Sequence, residues 1–273
     1  MPLLGWIILF TAFGGIASAA FAGLFLLVPE RTGLRMLPHF VSFATGALLG
    51  AALLALLPEA MESVGPGGAH GIGAALIAGL GVFFVIEKLV LWKHAHSHEG
   101  GDENDLSDHA GREHGGHGDH GHSRGEAAGV LVLIGDSIHN ALDGILIAAA
   151  FLTNVPLGLV TTFAVAAHEI PHRVGDFAIL LHAGMSRSRA MFLNMATGLA
   201  SVLGGIVAYF GLERAIGALP YALALAAAGF LYIAVAGLIP GLHRRADPRT
   251  SLAQVVLMGL GVGVIAWAES LIH

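Results

Sequence analysis

"GVLVLIGDSIHNALDGILIAAAF", residues 129–151, is long and apolar enough to cross a bilayer, yet it carries Asp136, His139, Asn140 and Asp143 in its middle. These four positions follow i, i+3, i+4, i+7 and therefore share one helical face. An ionisable group inside a membrane helix costs at least about 2.5 kcal/mol on insertion scales, so the stripe faces protein or water and marks a function. The helix must be one member of a bundle.

Composition agrees. Hydrophobic residues make up 55% of the 273 and charged residues only 12%, against roughly 25% charged in a soluble domain. The chain reads as an integral membrane protein. It has no cysteine, which excludes disulfides, iron–sulfur clusters and thiolate zinc sites and leaves nitrogen and oxygen as metal donors. Sixteen histidines supply such donors in quantity.

Apolar segments long enough for a membrane helix run at about 3–28, 40–61, 71–92, 128–152, 158–182, 190–212, 219–240 and 252–272. The first lacks the basic leader of a signal peptide and is too long for its apolar core, so a retained span is expected. Eight spans place the odd-numbered connections on one side. Those carry Arg31, Arg35, Lys93, Arg112, Arg124, Arg187, Arg189, Arg244, Arg245 and Arg249, whereas the other connections and the termini carry only Arg214. Basic residues collect in the cytoplasm, so both termini are expected outside.

The chain then divides into spans one to three (1–92), a polar connection (93–127), spans four and five (128–183) and spans six to eight (184–273). The connection is nearly free of apolar residues and is expected to be disordered and cytoplasmic. Its histidines, His94, His96, His98, His109, His114, His117, His120 and His122, could hold metal loosely. A weak repeat relates "TGALLGAALLALLP" (45–58) to "AGFLYIAVAGLIP" (228–240). The two segments would run in opposite directions, so the expected architecture is all-α: inverted three-helix repeats, spans one to three and six to eight, around the central pair. Secondary transporters commonly use this plan.

Span five carries a second stripe, His168, Glu169, His172 and Asp176, within "AAHEIPHRVGD" (166–176). Two facing stripes of imidazole, carboxylate and amide suit zinc, and also iron(II), manganese or cadmium. Pro171 frees a backbone carbonyl near Ala167 and should kink the helix beside the stripe. Gly144 and Gly175 are expected to be close helix-packing positions.

His168-Glu169-Ile170-Pro171-His172 also fits the H-E-x-x-H signature of zinc proteases. Intramembrane proteases with that signature add an Asp from a later L-D-G, but here Leu142-Asp143-Gly144 precedes the motif. With His139 and Asp143 crowding the same site, little room is left for a catalytic water. No enzyme activity is expected, and neither a cofactor nor a nucleic-acid partner.

"HNALDG" and "HEIPHRVGDFAIL", in this order on consecutive spans, resemble the paired motifs of the ZIP family of divalent-metal transporters. The eight spans, external termini and His-rich third connection match as well. The resemblance implies a metal site built from His139, Asn140, Asp143, His168, Glu169 and His172, with Zn2+ as cargo moved into the cytoplasm by alternating access in a cell membrane, plasma or bacterial inner. It also implies a homodimer. Some relatives have an acid on span six where this chain has Ser201, so one metal rather than two is expected; relatives also often have Glu where it has Arg173, a buried cation expected to lower the site's negative charge. Asp136, Arg173, Asp176 and Ser201 are expected around the ligands, with Arg173 paired to Asp176 or Asp136. A different class of function, a membrane-anchored metal sensor or store working through the His-rich connection, is the alternative.

Overall fold

The computed structural model describes residues 2–25, 28–99, 120–243 and 248–271. Among them there are helices and turns but no strand. Seven helical stretches are long and apolar enough to cross a membrane: span one (Leu3–Leu24), two (Arg35–Val64), three (Ala69–Leu89), four (Val132–Thr153), six (Arg187–Glu213), seven (Ile216–His243) and eight (Pro248–Ser270). The helix Val155–His182 is of similar length; His168, Glu169, His172, Arg173 and Asp176 lower its hydropathy, and it completes the set as span five. The protein is thus an all-α, multi-span membrane protein.

Burial is inverted relative to a soluble protein. Large apolar side chains such as Ile77, Phe192, Leu203, Val207, Val255 and Trp267 are exposed, while Asp136, Asn140, Asp143, His168, Glu169 and Arg173 are buried. Lipid replaces water around the outside, and the costly polar groups gather at the centre. Small residues permit the close packing that this requires. At Gly144 an added Cβ would lie 1.8 Å from the Ser201 carbonyl oxygen, so spans four and six touch backbone to backbone. Gly15 of span one and Gly198 of span six meet in the same way. Gly175 is different: nothing lies within 4 Å of its Cβ position, which corrects its expected packing role.

Span two packs on span eight, span three on span seven, and span one on span six, the pairings expected of inverted repeats. Both repeat segments share a backbone irregularity. A π-helical stretch, Ala51–Leu56 in one and Ile233–Leu238 in the other, ends two residues before Pro58 and Pro240. Proline lacks the N–H and pushes away the carbonyl of residue i−4, so the preceding turn widens.

The polar connection is shorter than the sequence suggested. Helix Ala69–Glu99 carries His94, His96 and His98 on its last turns, and helix His120–Thr153 begins with His120 and His122. Extending a helix already nucleated by its apolar half costs little. His109, His114 and His117 lie outside the described residues, as do the side chains of the other five.

Candidate metal site

Spans four and five pack against each other at the centre of the bundle and bring four ligand-type side chains to one point. His139, Asp143, His168 and Glu169 each offer one atom, all within 4.8 Å of one another. Four of the separations are tight: His139 Nε2 to His168 Nε2 is 3.3 Å, His139 Nε2 to Glu169 Oε1 3.4 Å, His168 Nε2 to Asp143 Oδ2 3.5 Å and His139 Nε2 to Asp143 Oδ2 3.7 Å. A tetrahedral zinc ion with bonds of about 2.0–2.2 Å would have ligand-to-ligand edges of about 3.4 Å.

The cluster's own chemistry asks for a cation. Asp143 Oδ2 and Glu169 Oε1 are buried without a hydrogen-bond partner, a state that costs at least about 1–3 kcal/mol for a polar atom and more for a charged one. Ring orientation is already set on span five. His168 Nδ1 lies 3.2 Å from the Ala164 carbonyl oxygen; with its proton on Nδ1, the ring presents the Nε2 lone pair to the cluster. His139 is 21% exposed through its side chain, so solvent reaches the cluster from that side.

That approach is a cavity of about 450 Å³ whose lining includes His139, Asp136, His172, Asp176, Glu87 and Tyr232. The Tyr232 hydroxyl donates to Glu87 Oε2. On the other side of the cluster, toward the end where Glu59 meets Asn154, the bundle is closed by buried Ala51, Ala52, Ala55, Ile147, Ala148, Phe151 and Ala164.

Not every residue expected in the metal site joins this cluster. Asn140 is one turn of stripe away but turns aside: its Nδ2 donates to the backbone and side-chain oxygens of Asp136, and its Oδ1 accepts from Arg173 Nη2 at 2.6 Å. Its amide is already committed. His172 belongs to a separate group with Asp136 and Asp176; its Nδ1 sits 2.9 Å from Asp176 Oδ2, and the side chain is 44% exposed. Ser201 is buried beside Gly144, and its hydroxyl has no hydrogen-bond partner.

Arg173 is fully buried and lies against the back of the cluster. It bonds Glu169 Oε2 and Asp136 Oδ2, each at 2.8 Å, and so takes Asp136, not Asp176, of the two partners considered for it. Two residues of span six complete its surroundings, Asn194 through its backbone and side-chain oxygens and Thr197 through its hydroxyl. Sequence reasoning missed both. The available signal was faint: Asn194 and Thr197 are polar, three residues apart and set with Ser201 in the apolar middle of the span.

The description "ZIP Zinc transporter" belongs to a family model that matches residues 3–269. The chain is a member of the ZIP zinc transporter family. Zinc transporter ZIP13 of Danio rerio is 34% identical over 267 residues, covering 86% of this chain and 77% of that one. The mouse (Mus musculus) ZIP13 is 36% identical over 269 residues, with 88% and 72% covered. Zinc transporter SLC39A7 of Rattus norvegicus is 32% identical over 323 residues, with 92% and 69% covered. As a ZIP-family member the protein is a transporter and not an enzyme. Its partner is a divalent metal ion.

Proposed function

We propose that this protein carries zinc into the cytoplasm by alternating access, with the ion held between spans four and five by His139, Asp143, His168 and Glu169. The observation that carries the reading is the convergence of four ligand atoms within 4.8 Å of one another, two of them buried carboxylate oxygens without a hydrogen-bond partner. Two imidazoles and two carboxylates form a borderline donor set that also admits cadmium, iron(II) or manganese.

Orientation follows from the basic connections. With Arg31, Arg35, Arg187 and Arg189 cytoplasmic, the 450 Å³ cavity leads from the cluster to the cytoplasm, and the apolar seal faces outside. The structure is then the inward-facing state, and transport requires a second state in which the seal around Ala51, Ala55 and Phe151 opens. Asp136, His172 and Asp176 line the way out and attract the departing cation.

Purified protein in liposomes tests this reading. The wild type should give saturable zinc uptake that Asp143→Ala abolishes, with circular dichroism unchanged. Wild-type flux in a folded Asp143→Ala protein would remove the cluster from the mechanism.

A further inference from the structure

Arg173 is held in an unusual manner. Its Nη1 has two hydrogens but four oxygens within 2.5–2.8 Å: Asp136 Oδ2, the Asn194 backbone oxygen, Asn194 Oδ1 and Thr197 Oγ1. Glu169 Oε2 lies 2.8 Å from Nε and Asn140 Oδ1 2.6 Å from Nη2. More oxygens than hydrogens converge on that nitrogen, so the arrangement resembles a coordination shell around a charge. Two carboxylates, two amides and a hydroxyl are the donors that hard divalent cations such as Mn2+, Mg2+ or Ca2+ prefer.

Glu169 joins the two environments. Its Oε2 belongs to the guanidinium, while its Oε1 has no hydrogen-bond partner and lies 3.4 Å from His139 Nε2 in the four-residue cluster. A metal pair sharing such a carboxylate would place the second ion where the guanidinium lies. We propose that Arg173 is a tethered cation occupying that second position: it restricts the site to a single transported ion and fixes Glu169 as a one-oxygen ligand. The inference rests on reading the four-residue cluster as the ion site.

Charge supports it. The buried carboxylates Asp136, Asp143, Glu169 and Asp176 face one buried guanidinium. A second divalent ion beside the guanidinium would set two cations against each other in a low-dielectric interior, where like charges repel strongly.

Crystals of the full-length wild type grown with zinc, with anomalous scattering recorded at the zinc edge, test the inference without any substitution and without interference from ions on the His-rich connection. One peak among His139, Asp143, His168 and Glu169 is expected. A second peak about 3.5–4 Å away, the usual spacing of paired metals, would overturn the tethered-cation role and leave the ion site standing. No peak in the cluster would take down both. Arg173→Ala gives the complementary test: at the manganese edge it should gain one peak within the cage of Asp136, Asn140 and Asn194 that the wild type lacks, and its Tm should rise with added Mn2+. A folded variant with no added ion and an unmoved Tm would overturn the proposal.

Discussion

Two sets of carboxylate oxygens meet between the same pair of helices, and the protein treats them in opposite ways. Around Arg173 they are saturated: Asp136 Oδ2 and Glu169 Oε2 each receive a guanidinium N–H. One side chain away, Asp143 Oδ2 and Glu169 Oε1 have no hydrogen-bond partner. The first arrangement holds three spans together, because Arg173 reaches from span five to Asp136 on span four and Asn194 on span six. The second stores an unfavourable charge that an arriving cation relieves. Stability and binding are thereby separated within one polar core, with Glu169 shared between them.

Substitutions should pull the two regions apart. The largest effect is expected on flux: Asp143→Ala removes an orphaned carboxylate and should reduce zinc uptake by about 100-fold or more, beyond the 10–100-fold typical of losing a supporting contact. Its metal-free Tm should hold or rise, since no hydrogen bond is lost; a large fall in Tm would break the comparison. Arg173→Ala should do the reverse to stability, because breaking a buried ion pair from one side costs about 3–5 kcal/mol. Thermal unfolding of the metal-free variant in detergent checks this, and an unchanged Tm would show the cage to be dispensable.

A smaller, graded effect is expected from pH. His139 and His168 must be neutral to bind a metal, so protons compete with zinc as the medium is acidified. Uptake should fall as the pH drops, by about tenfold per pH unit for each proton that must leave the site. Uptake that climbs as pH drops below about 6 would instead indicate proton-driven coupling. The smallest effect is expected from removing residues 101–119, which hold His109, His114 and His117 but no part of the cluster. Flux should change by less than about twofold; its loss would favour the sensor reading.

Much of this was legible in the sequence. A polar stripe in an apolar span reveals its face, and two such stripes on consecutive spans reveal that they meet. Helical periodicity places His139, Asn140 and Asp143 on one side, but it cannot decide which of two adjacent pockets each enters. Asn140 shares the face of His139 and Asp143, yet its amide lies between Asp136 and Arg173 and not among the four clustered side chains. Asn194 and Thr197 escaped notice because isolated polar residues satisfy themselves in many membrane helices, and only the reach of Arg173 singles them out. Pro58 and Pro240 close the two repeat segments, but that a widened turn precedes both depends on packing no single segment records.

The separation of His168 from His172 tests the central claim most directly. Both belong to the H-E-I-P-H motif, but His168 Nε2 enters the cluster while His172 pairs with Asp176 along the cavity. Initial rates of zinc uptake into liposomes should therefore be compared for His168→Ala and His172→Ala at matched, folded protein. Abolished flux in the first with a substantial part retained in the second is the outcome expected. Retained flux in His168→Ala alongside loss in His172→Ala would contradict the four-residue site.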